Sequence, residues 1–183
     1  MNGLSIRKAV TADVESILTI YEASRRYMRA TGNHSQWSDG YPSRADVLAD
    51  IEARNCYVGE HEGETVMVFA FIPGDDPTYR IIEDGAWLND LPYGTIHRLG
   101  SNGRCSGVLE SCVEFCFGLT DNLRLDTHRD NRPMLEAVGR AGFTRCGIIR
   151  CRDGSPRIAF QKIKENLTDA APRTVVGGTS KRI

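Results

Sequence analysis

The chain lacks any apolar run approaching the ~20 residues that a helix needs to cross a bilayer, and it begins without a secretory signal pattern. It also lacks a dense basic cluster, since 23 Lys and Arg residues face 24 Asp and Glu residues and the formal net charge is -1. Nucleic-acid binders depend on clustered cations. We therefore expect a cytoplasmic protein whose partners are small polar molecules, with neither nucleic acid nor membrane among them.

Cysteine pairs of the C-x-x-C type are missing too, and so is the Gly-Lys-Ser/Thr sequence that holds phosphate and magnesium in nucleotide enzymes. Cys112 and Cys116 fall on the apolar face of a predicted helix. We therefore expect buried thiols, with no metal site and no disulfide framework. The six cysteines are Cys56, Cys105, Cys112, Cys116, Cys146 and Cys151.

Strand and helix patterns alternate along most of the 183 residues, and no segment repeats another. This length suits one globular domain, which we place at residues 1–165. Residues 166–183 have no hydrophobic period and are predicted to form a disordered tail. Predicted strands cover 4–10, 56–61, 65–72, 94–100, 123–127, 144–150 and 157–162, with helices beginning after Thr11, Ser43, Gly107 and Asp130.

The most informative segment is residues 97–109, a strand that runs through a glycine-bearing loop directly into an amphipathic helix. The first N–H groups of a helix have no carbonyl partner and carry positive charge, so they bind phosphate well. We expect the main-chain amides of residues 103–108 to converge on a diphosphate, with Arg104 as an added cationic donor. The alternative is an ordinary turn between a strand and a helix.

The order β-α-α-β-β-β-α-β-α-β-β, with this loop after the fourth strand, resembles the GNAT N-acetyltransferase family. The family's Arg/Gln-x-x-Gly-x-Gly/Ala signature matches Arg104 to Leu109 except at Leu109, and Asn131 precedes Gly142-Phe143 at the family's usual spacing. The resemblance implies an α/β fold with a central mixed, mostly antiparallel sheet, a splayed parallel strand pair at the cofactor site and about four helices. It also implies acetyl-CoA as acetyl donor, bound by Leu99, Gly103, Arg104, Cys105, Ser106, Gly107, Val108, Leu109 and Asn131.

The reaction implied is direct attack of a primary amine on the thioester, with the oxyanion stabilised by a main-chain N–H near Leu99. A protonated amine must first lose a proton. We consider Glu83 and His97 as the base, each with a structural alternative: a solvated loop acid and a hydrogen-bonded sheet histidine. His128 is a weaker candidate for donating a proton. Many family members carry a Tyr seven residues after the Asn as general acid, and here Val138 replaces it.

Two aromatic connections are predicted to form walls around the acceptor, with Asp39 and Asp90 available to pair with an amine. The alternative for the rings is ordinary core packing. Trp37 is the strongest candidate, because a large ring in a polar loop needs a reason to be there. The proposed substrate-binding residues are Tyr27, Trp37, Tyr41, Trp87 and Tyr93.

The leading hypothesis is an enzyme that acetylates a primary amine of a small molecule or peptide. A non-catalytic acyl-CoA sensor or interaction domain is the second, suggested by Val138 and Leu109. A transferase of another acyl group, or to another acceptor, is the third. Family members often pair, so we also expect a homodimer.

Overall fold

The computed structural model describes residues 4–165; the tail predicted at 166–183 lies outside the described residues. This part of the chain forms a seven-stranded sheet, in the order β1-β2-β3-β4-β5-β7-β6, and four α-helices. Within it, β4 and β5 are the parallel pair and the other neighbours are antiparallel, as expected. The strands are β1 (Ser5–Lys8), β2 (Cys56–His61), β3 (Glu64–Pro73), β4 (Gly94–Ser101), β5 (Asn122–Thr127), β6 (Thr144–Arg150) and β7 (Pro156–Ile163). The helices are α1 (Val14–Ala30), α2 (Arg44–Glu52), α3 (Val108–Cys116) and α4 (Arg132–Arg140), with short 3-10 turns at Thr11–Asp13 and Pro77–Tyr79.

Side chains cap the starts of α2 and α4, whereas Thr11, predicted to cap α1, and Asp130, predicted to cap α4, do not act as caps. Thr11 opens the 3-10 turn, and the Asp13 carboxylate accepts the Val10 N–H at 2.8 Å before α1 begins. At α4 the cap is Asn131 and not Asp130, because the Asn131 side chain accepts the Met134 N–H. At α4 an oxygen one residue from the expected position satisfies the same unpaired donors, whereas α1 follows the 3-10 turn without a side-chain cap. The capping box that Ser43 forms with Asp46 at α2 is confirmed.

The sheet has two covered faces. Helices α3 and α4 pack on one, which we call the α3 face, around the rings of Tyr57, Phe69 and Phe71. Helices α1 and α2 pack on the other, the α1 face, around Val58 and Val68. Because side chains alternate along a strand, neighbouring residues of β2 and β3 reach different cores.

The parallel pair opens after a short contact. Gly94 pairs with Leu123 and Thr95 with Arg124, and neither strand continues that pairing. On its other edge β4 carries a bulge. His97 pairs with Ala70 and Gly100 with Val68, so β4 uses one more residue than β3 over this stretch. Arg98, inside the bulge, has a φ of 52°. A positive φ at a non-glycine residue is uncommon and clusters at functional sites. The sheet therefore has an opening between β4 and β5, beside a bulge.

Residues 74–93, which we call the strap, cross the α1 face over β5, β7 and β6. The Arg124 guanidinium lies between the rings of Trp87 and Tyr93, 4.0 and 3.9 Å from their centres. At the far edge the main chain of Glu83 forms a bridge with Ile148. The strap is thus fixed to the sheet along its length.

None of the helices formed by residues 4–165 is long and apolar enough to cross a membrane. All six cysteines are free thiols, and burial is confirmed for Cys56, Cys112, Cys116 and Cys146. Cys105 and Cys151 are half-buried, contrary to the prediction that all six are buried, because both lie in connections and not on core-facing positions.

Candidate active site

The loop from residue 102 to residue 107, called the glycine loop below, connects β4 to α3 beside the opening. Gly107 precedes the helix in the left-handed conformation, with a φ of 68°. The Gly103 and Arg104 N–H groups donate to the side chains of Ser101 and Asn102, both at 3.1 Å. Among the described residues, the N–H groups of Cys105 and Gly107 donate to no protein group. The expected convergence of amides over 103–108 therefore needs correction at its first two positions, where nearby side chains already accept them.

Arg104 reaches away from the loop main chain. Its side chain is 62% exposed and forms an ion pair with Glu64 at the start of β3. A pair this exposed is held weakly against water. The guanidinium can therefore exchange Glu64 for a bound anion at small cost.

Two hydrophobic residues of the predicted signature belong to the core. The Leu109 side chain is buried on the α3 face, and Val108 packs partly against the same cluster. Val138, which stands where many family members carry Tyr, is fully buried in that cluster. Leu109 and Val108 can thus offer a ligand only their main chain, and Val138 offers no acid.

Asn131 lies at the same end of the opening and is tied to the α1–α2 connection. Its amide donates to Gln36 Oε1 at 2.9 Å. The same oxygen lies 3.3 Å from the His128 N–H, 3.3 Å from the Thr127 hydroxyl and 2.9 Å from the Asn33 amide. Since the His128 N–H can only donate, it fixes the atom facing it as the amide oxygen of Gln36. Gln36 therefore joins the α1–α2 connection to the end of β5.

His97 lies on the α1 face of β4, at the start of the bulge that contains Leu99. Its Nε2 lies 2.8 Å from Asp76 Oδ2, and the two side chains are only 19% and 13% exposed. The other oxygen of Asp76 accepts from the N–H and the hydroxyl of Thr78, at 2.9 and 2.8 Å. Burial raises the pKa of Asp76, but these hydrogen bonds from His97 and Thr78 outweigh it and hold the pKa below its usual value. The carboxylate is therefore charged beside the imidazole.

A second half-buried acid, Asp126, faces the same space from β5. Asp126 accepts the Tyr79 hydroxyl at 2.7 Å, and the Tyr79 ring meets the His97 ring edge to face with centres 5.8 Å apart. The Arg157 Nε lies 3.9 Å from Asp126. Tyr79 is almost completely buried, and burial raises its pKa, so that it stays a neutral donor.

The structure does not bring the two proposed bases together. Glu83 pairs through its main chain with β6, at the opposite edge, and its carboxylate accepts from Arg150 at 2.9 Å. The hydrogen bond from Arg150 lowers the pKa of Glu83. With neighbouring strands ~4.8 Å apart, the intervening strands put Glu83 on the order of 20 Å from His97. A carboxylate at that distance cannot share a substrate proton with His97.

The predicted aromatic walls are mostly fixed in place. Trp37 is 8% exposed and packs edge to face between Tyr21 and Tyr41, so its ring belongs to the core under the α1–α2 connection. Tyr27 is 59% exposed on the outside of α1. Trp87 stacks on Tyr79 with centres 5.5 Å apart. These rings support the connections that surround His97, and core packing accounts for most of them.

Tyr41 and Tyr93 remain closest to the site through their hydroxyl groups. The Tyr93 hydroxyl accepts the Asp76 N–H at 3.1 Å. The Tyr41 hydroxyl lies 3.5 Å from Arg98, whose guanidinium also makes two bonds to Asp50 of α2, at 2.7 and 2.9 Å. The bulge residue is thereby anchored to α2.

Sequence reasoning missed residues of the site that are distant from His97 in the chain. Nothing in the sequence shows which strands the strap crosses. One local signal existed: Asp76-Pro77-Thr78 is typical of a capped turn. The missed residues are Asp76, Tyr79, Asp126, Gln36 and Asp50.

Comparison with solved structures gives close matches, whereas no protein-family model and no curated protein matches the chain. A GNAT-family acetyltransferase from Streptococcus agalactiae 2603 is 32% identical, with a TM-score of 0.81 over 90% of this chain and 97% of that one. One from Listeria monocytogenes 4b F2365 is 20% identical, with a TM-score of 0.66 over 89% and 98%. A ribosomal-protein-alanine N-acetyltransferase from Brucella melitensis is 20% identical, with a TM-score of 0.57 over 87% and 99%.

The similarity to the Listeria and Brucella proteins establishes the fold alone. The similarity to the Streptococcus protein includes 32% sequence identity over nearly the whole of both chains. The opening between β4 and β5, the glycine loop at the start of α3 and the order of the strands agree with that relationship. By its similarity to the Streptococcus agalactiae protein, the chain belongs to the GNAT family of acetyltransferases.

Proposed function

We propose that the protein is an N-acetyltransferase that transfers an acetyl group from acetyl-CoA to a primary amine of a small molecule or peptide by direct attack. The observation that carries this proposal is the opening beside β4. The glycine loop and the start of α3 lie at its end, and half-buried His97 lies on the α1 face of the same strand, paired with Asp76 of the strap. A phosphate-binding loop and a proton acceptor beside one opening suit transfer from a nucleotide-linked thioester.

The glycine loop fits the diphosphate of acetyl-CoA. The N–H groups of Cys105 and Gly107 are without a protein acceptor within residues 4–165, and the positive end of α3 adds to their attraction for an anion. Arg104 would supply a charge-assisted bond once released from Glu64. Ser106 and Gly103 complete the loop, and Asn131 and Leu99 border the opening through which the rest of the molecule would pass.

Acetyl-CoA supplies an acetyl group activated as a thioester. His97 takes one proton from the ammonium form of the acceptor, and the neutral nitrogen then attacks the carbonyl carbon. A carbon–nitrogen bond forms, the carbon–sulfur bond breaks, the nitrogen gives up a second proton, and the departing thiolate takes up one proton. Main chain at the bulge near Leu99 would stabilise the oxyanion. Holding the two reactants together can contribute ~7 kcal/mol or more to lowering the barrier.

Val138 is buried in the core, so the proton on the leaving thiolate must come from the acceptor nitrogen itself, from water or from another donor. The thiolate is a good leaving group compared with an amine, because a thiol has a much lower pKa. Transfer without a dedicated acid is therefore feasible. His128 is a weak alternative donor, since burial first and the nearby Arg157 charge next lower its pKa.

The acceptor would enter from the α1 face, between the α1–α2 connection and the strap. Arg98 pairs with Asp50 and Arg157 lies 3.9 Å from Asp126, so Asp76 is the carboxylate here that favours a cationic group. The Tyr41 hydroxyl adds a polar contact on the α2 side.

The first test is a thermal melt with and without acetyl-CoA, followed by thiol release on a panel of amines. A ligand that binds only the folded state raises the melting temperature. For the wild type we expect a clear rise in melting temperature with acetyl-CoA, and thiol release with at least one amine. For His97→Gln we expect the same rise in melting temperature but no thiol release. The variant Asp75→Asn serves as control, because the exposed Asp75 carboxylate pairs with Arg80 and, among residues 4–165, makes no bond to the site.

A rise in melting temperature with no thiol release for any amine would favour the acyl-CoA sensor, for which the buried Val138 is the supporting observation. Release with longer acyl-CoA donors alone would favour the third hypothesis. No rise at all would contradict the assignment of the glycine loop.

A further inference from the structure

We propose that Asp76 is a positioning residue that holds the His97 imidazole with its proton on Nε2, so that Nδ1 is the atom that accepts the proton of the amine. This inference deepens the proposed function and depends on it for the role of Nδ1. The sequence singled out His97, whereas Asp76 lies 21 residues earlier and reaches it only through the path of the strap.

The hydrogen-bond pattern determines which imidazole nitrogen is free. A charged carboxylate only accepts, so the 2.8 Å contact requires the proton on Nε2 of His97. In the neutral ring the other nitrogen, Nδ1, then carries the lone pair. No hydrogen bond to Nδ1 is present among the described residues. The nitrogen with the lone pair is therefore the one available to an acceptor amine.

Asp76 is itself held by two neighbours, Thr78 and Tyr93, which separates it from a surface acid that happens to touch a histidine. Thr78 donates twice to Oδ1, the Tyr93 hydroxyl accepts the Asp76 N–H, and Tyr93 is fixed by stacking on Arg124. A group that orients a catalytic side chain is effective when its own position is fixed before substrate binds. Asp76 meets that condition.

Besides Asp76, charged groups lie on two sides of His97. Asp50 and Arg98 form an ion pair on the α2 side, and Asp126 lies beyond the Tyr79 ring on the β5 side. Asp50 is engaged by Arg98 and Asp126 by Tyr79. Within residues 4–165, Asp76 is thus the carboxylate that bonds His97 directly.

Asp76→Asn gives a sharp test because Thr78 dictates how the new amide must lie. The Thr78 N–H can only donate, so it keeps the amide oxygen at the Oδ1 position and places the NH2 group opposite His97. That NH2 group donates to Nε2, which must then carry the lone pair, and the proton moves to Nδ1. The substitution changes few atoms and keeps the shape, but it removes the proton acceptor.

We would record long-range proton–nitrogen spectra of histidine-labelled protein and assign the His97 signals by their absence in His97→Gln. We expect the Nε2–H form in the wild type and the Nδ1–H form in Asp76→Asn. On the best acceptor amine, kcat of Asp76→Asn should fall roughly 100-fold, the size expected for loss of general base catalysis, with KM for the amine little changed.

Two controls separate positioning from folding. Asp75→Asn alters the neighbouring exposed carboxylate and should leave spectra and kcat unchanged. Thr78→Val removes the hydroxyl donor but keeps the N–H, so the Nε2–H form should persist with a loss of kcat well below that of Asp76→Asn. The wild-type spectrum, assigned with His97→Gln, does not depend on Asp76→Asn and remains decisive if that variant does not fold.

An Nδ1–H form in the wild type would overturn the proposal, as would a switched tautomer in Asp76→Asn with unchanged kcat. A wild type that binds acetyl-CoA but acetylates no amine would overturn the proposed function and the role of Nδ1 in it. The spectra would still decide the tautomer independently.

Discussion

The two sides of the opening between β4 and β5 are built in different ways. The glycine loop offers main-chain N–H groups, and its residues are consecutive in the chain. The site around His97 is built from buried and half-buried side chains that come from β4, β5, the strap and the α1–α2 connection. A site made of main chain tolerates most side chains, whereas a site made of side chains depends on each element being in place. Substitutions should therefore affect the two sides separately.

The largest effect should come from Gly85→Ala, which separates the strap from the sheet. A Cβ at this position would lie 2.0 Å from the Cys146 carbonyl oxygen, and a main-chain atom cannot move aside easily. We expect the free energy of unfolding to fall by roughly 2 to 3 kcal/mol, as for other overpacked sites. Turnover should fall as well, because Asp76 and Tyr79 lie on the strap, while acetyl-CoA still raises the melting temperature. Urea denaturation and thermal melts measure both.

Gly139→Ala is the matched control, since a Cβ there meets nothing within 4 Å inside α4. It should stabilise the protein by roughly 0.5 to 1 kcal/mol, because alanine loses less conformational freedom than glycine. If Gly85→Ala also abolished the response to acetyl-CoA, the two sides would not be independent.

The next largest effect should come from Gly107→Ala, which alters the glycine loop and leaves the His97 side unchanged. Gly107 has a φ of 68°, a conformation that costs an alanine roughly 1 to 2 kcal/mol. We expect affinity for acetyl-CoA to fall about tenfold, equal to about 1.4 kcal/mol, as the start of α3 relaxes. The tautomer of His97 should stay as in the wild type. Calorimetric titration gives the affinity, and an unchanged value would contradict the site.

A pH series sharpens the comparison on the His97 side. Because the folded pKa of Asp76 is below its usual value near 3.8, the folded state binds fewer protons there than the unfolded chain. The stabilisation by Asp76 is therefore complete above that usual value and is lost as pH falls through the folded pKa. We expect the stability of Asp76→Asn to fall less steeply below about pH 4 than that of the wild type, in urea denaturation at each pH. Parallel curves of stability against pH for the two proteins would show that the Asp76 carboxylate does not contribute to stability.

The smallest effects concern Arg104 and Glu64, which form an exposed ion pair. Arg104→Ala should weaken acetyl-CoA binding and Glu64→Gln should strengthen it, each by about two- to fivefold, the range of exposed charge pairs. The opposite directions of the two affinity changes are more informative than their sizes, because they are expected if Glu64 and the ligand compete for the Arg104 guanidinium. Titrations at low and high salt should show both differences shrinking as salt screens them. Equal affinities at low salt would remove Arg104 from the site.

Most helices and strands could be predicted, because their hydrophobic periods and capping residues are local. Ser43 and Asp46 predicted the start of α2, and the bounds of β2 and β6 were predicted to the residue. Trp37 shows the limit of such reasoning: its place in a polar loop suggested a contact with substrate, but its ring packs between Tyr21 and Tyr41. Glu83 shows the same limit, since only the path of the strap decides that this acid lies at the far edge of the sheet.

The amino-acid sequence by itself determined the alternation of elements, the glycine loop and the helix that follows it, because each depends on contacts within a few residues. Which acid meets His97 was decided only by the tertiary structure. A strap fixed by Arg124 between two rings, and by the close approach at Gly85, carries Asp76 to within 2.8 Å of His97. Such pairing depends on packing between distant segments, and no local pattern in the sequence records it.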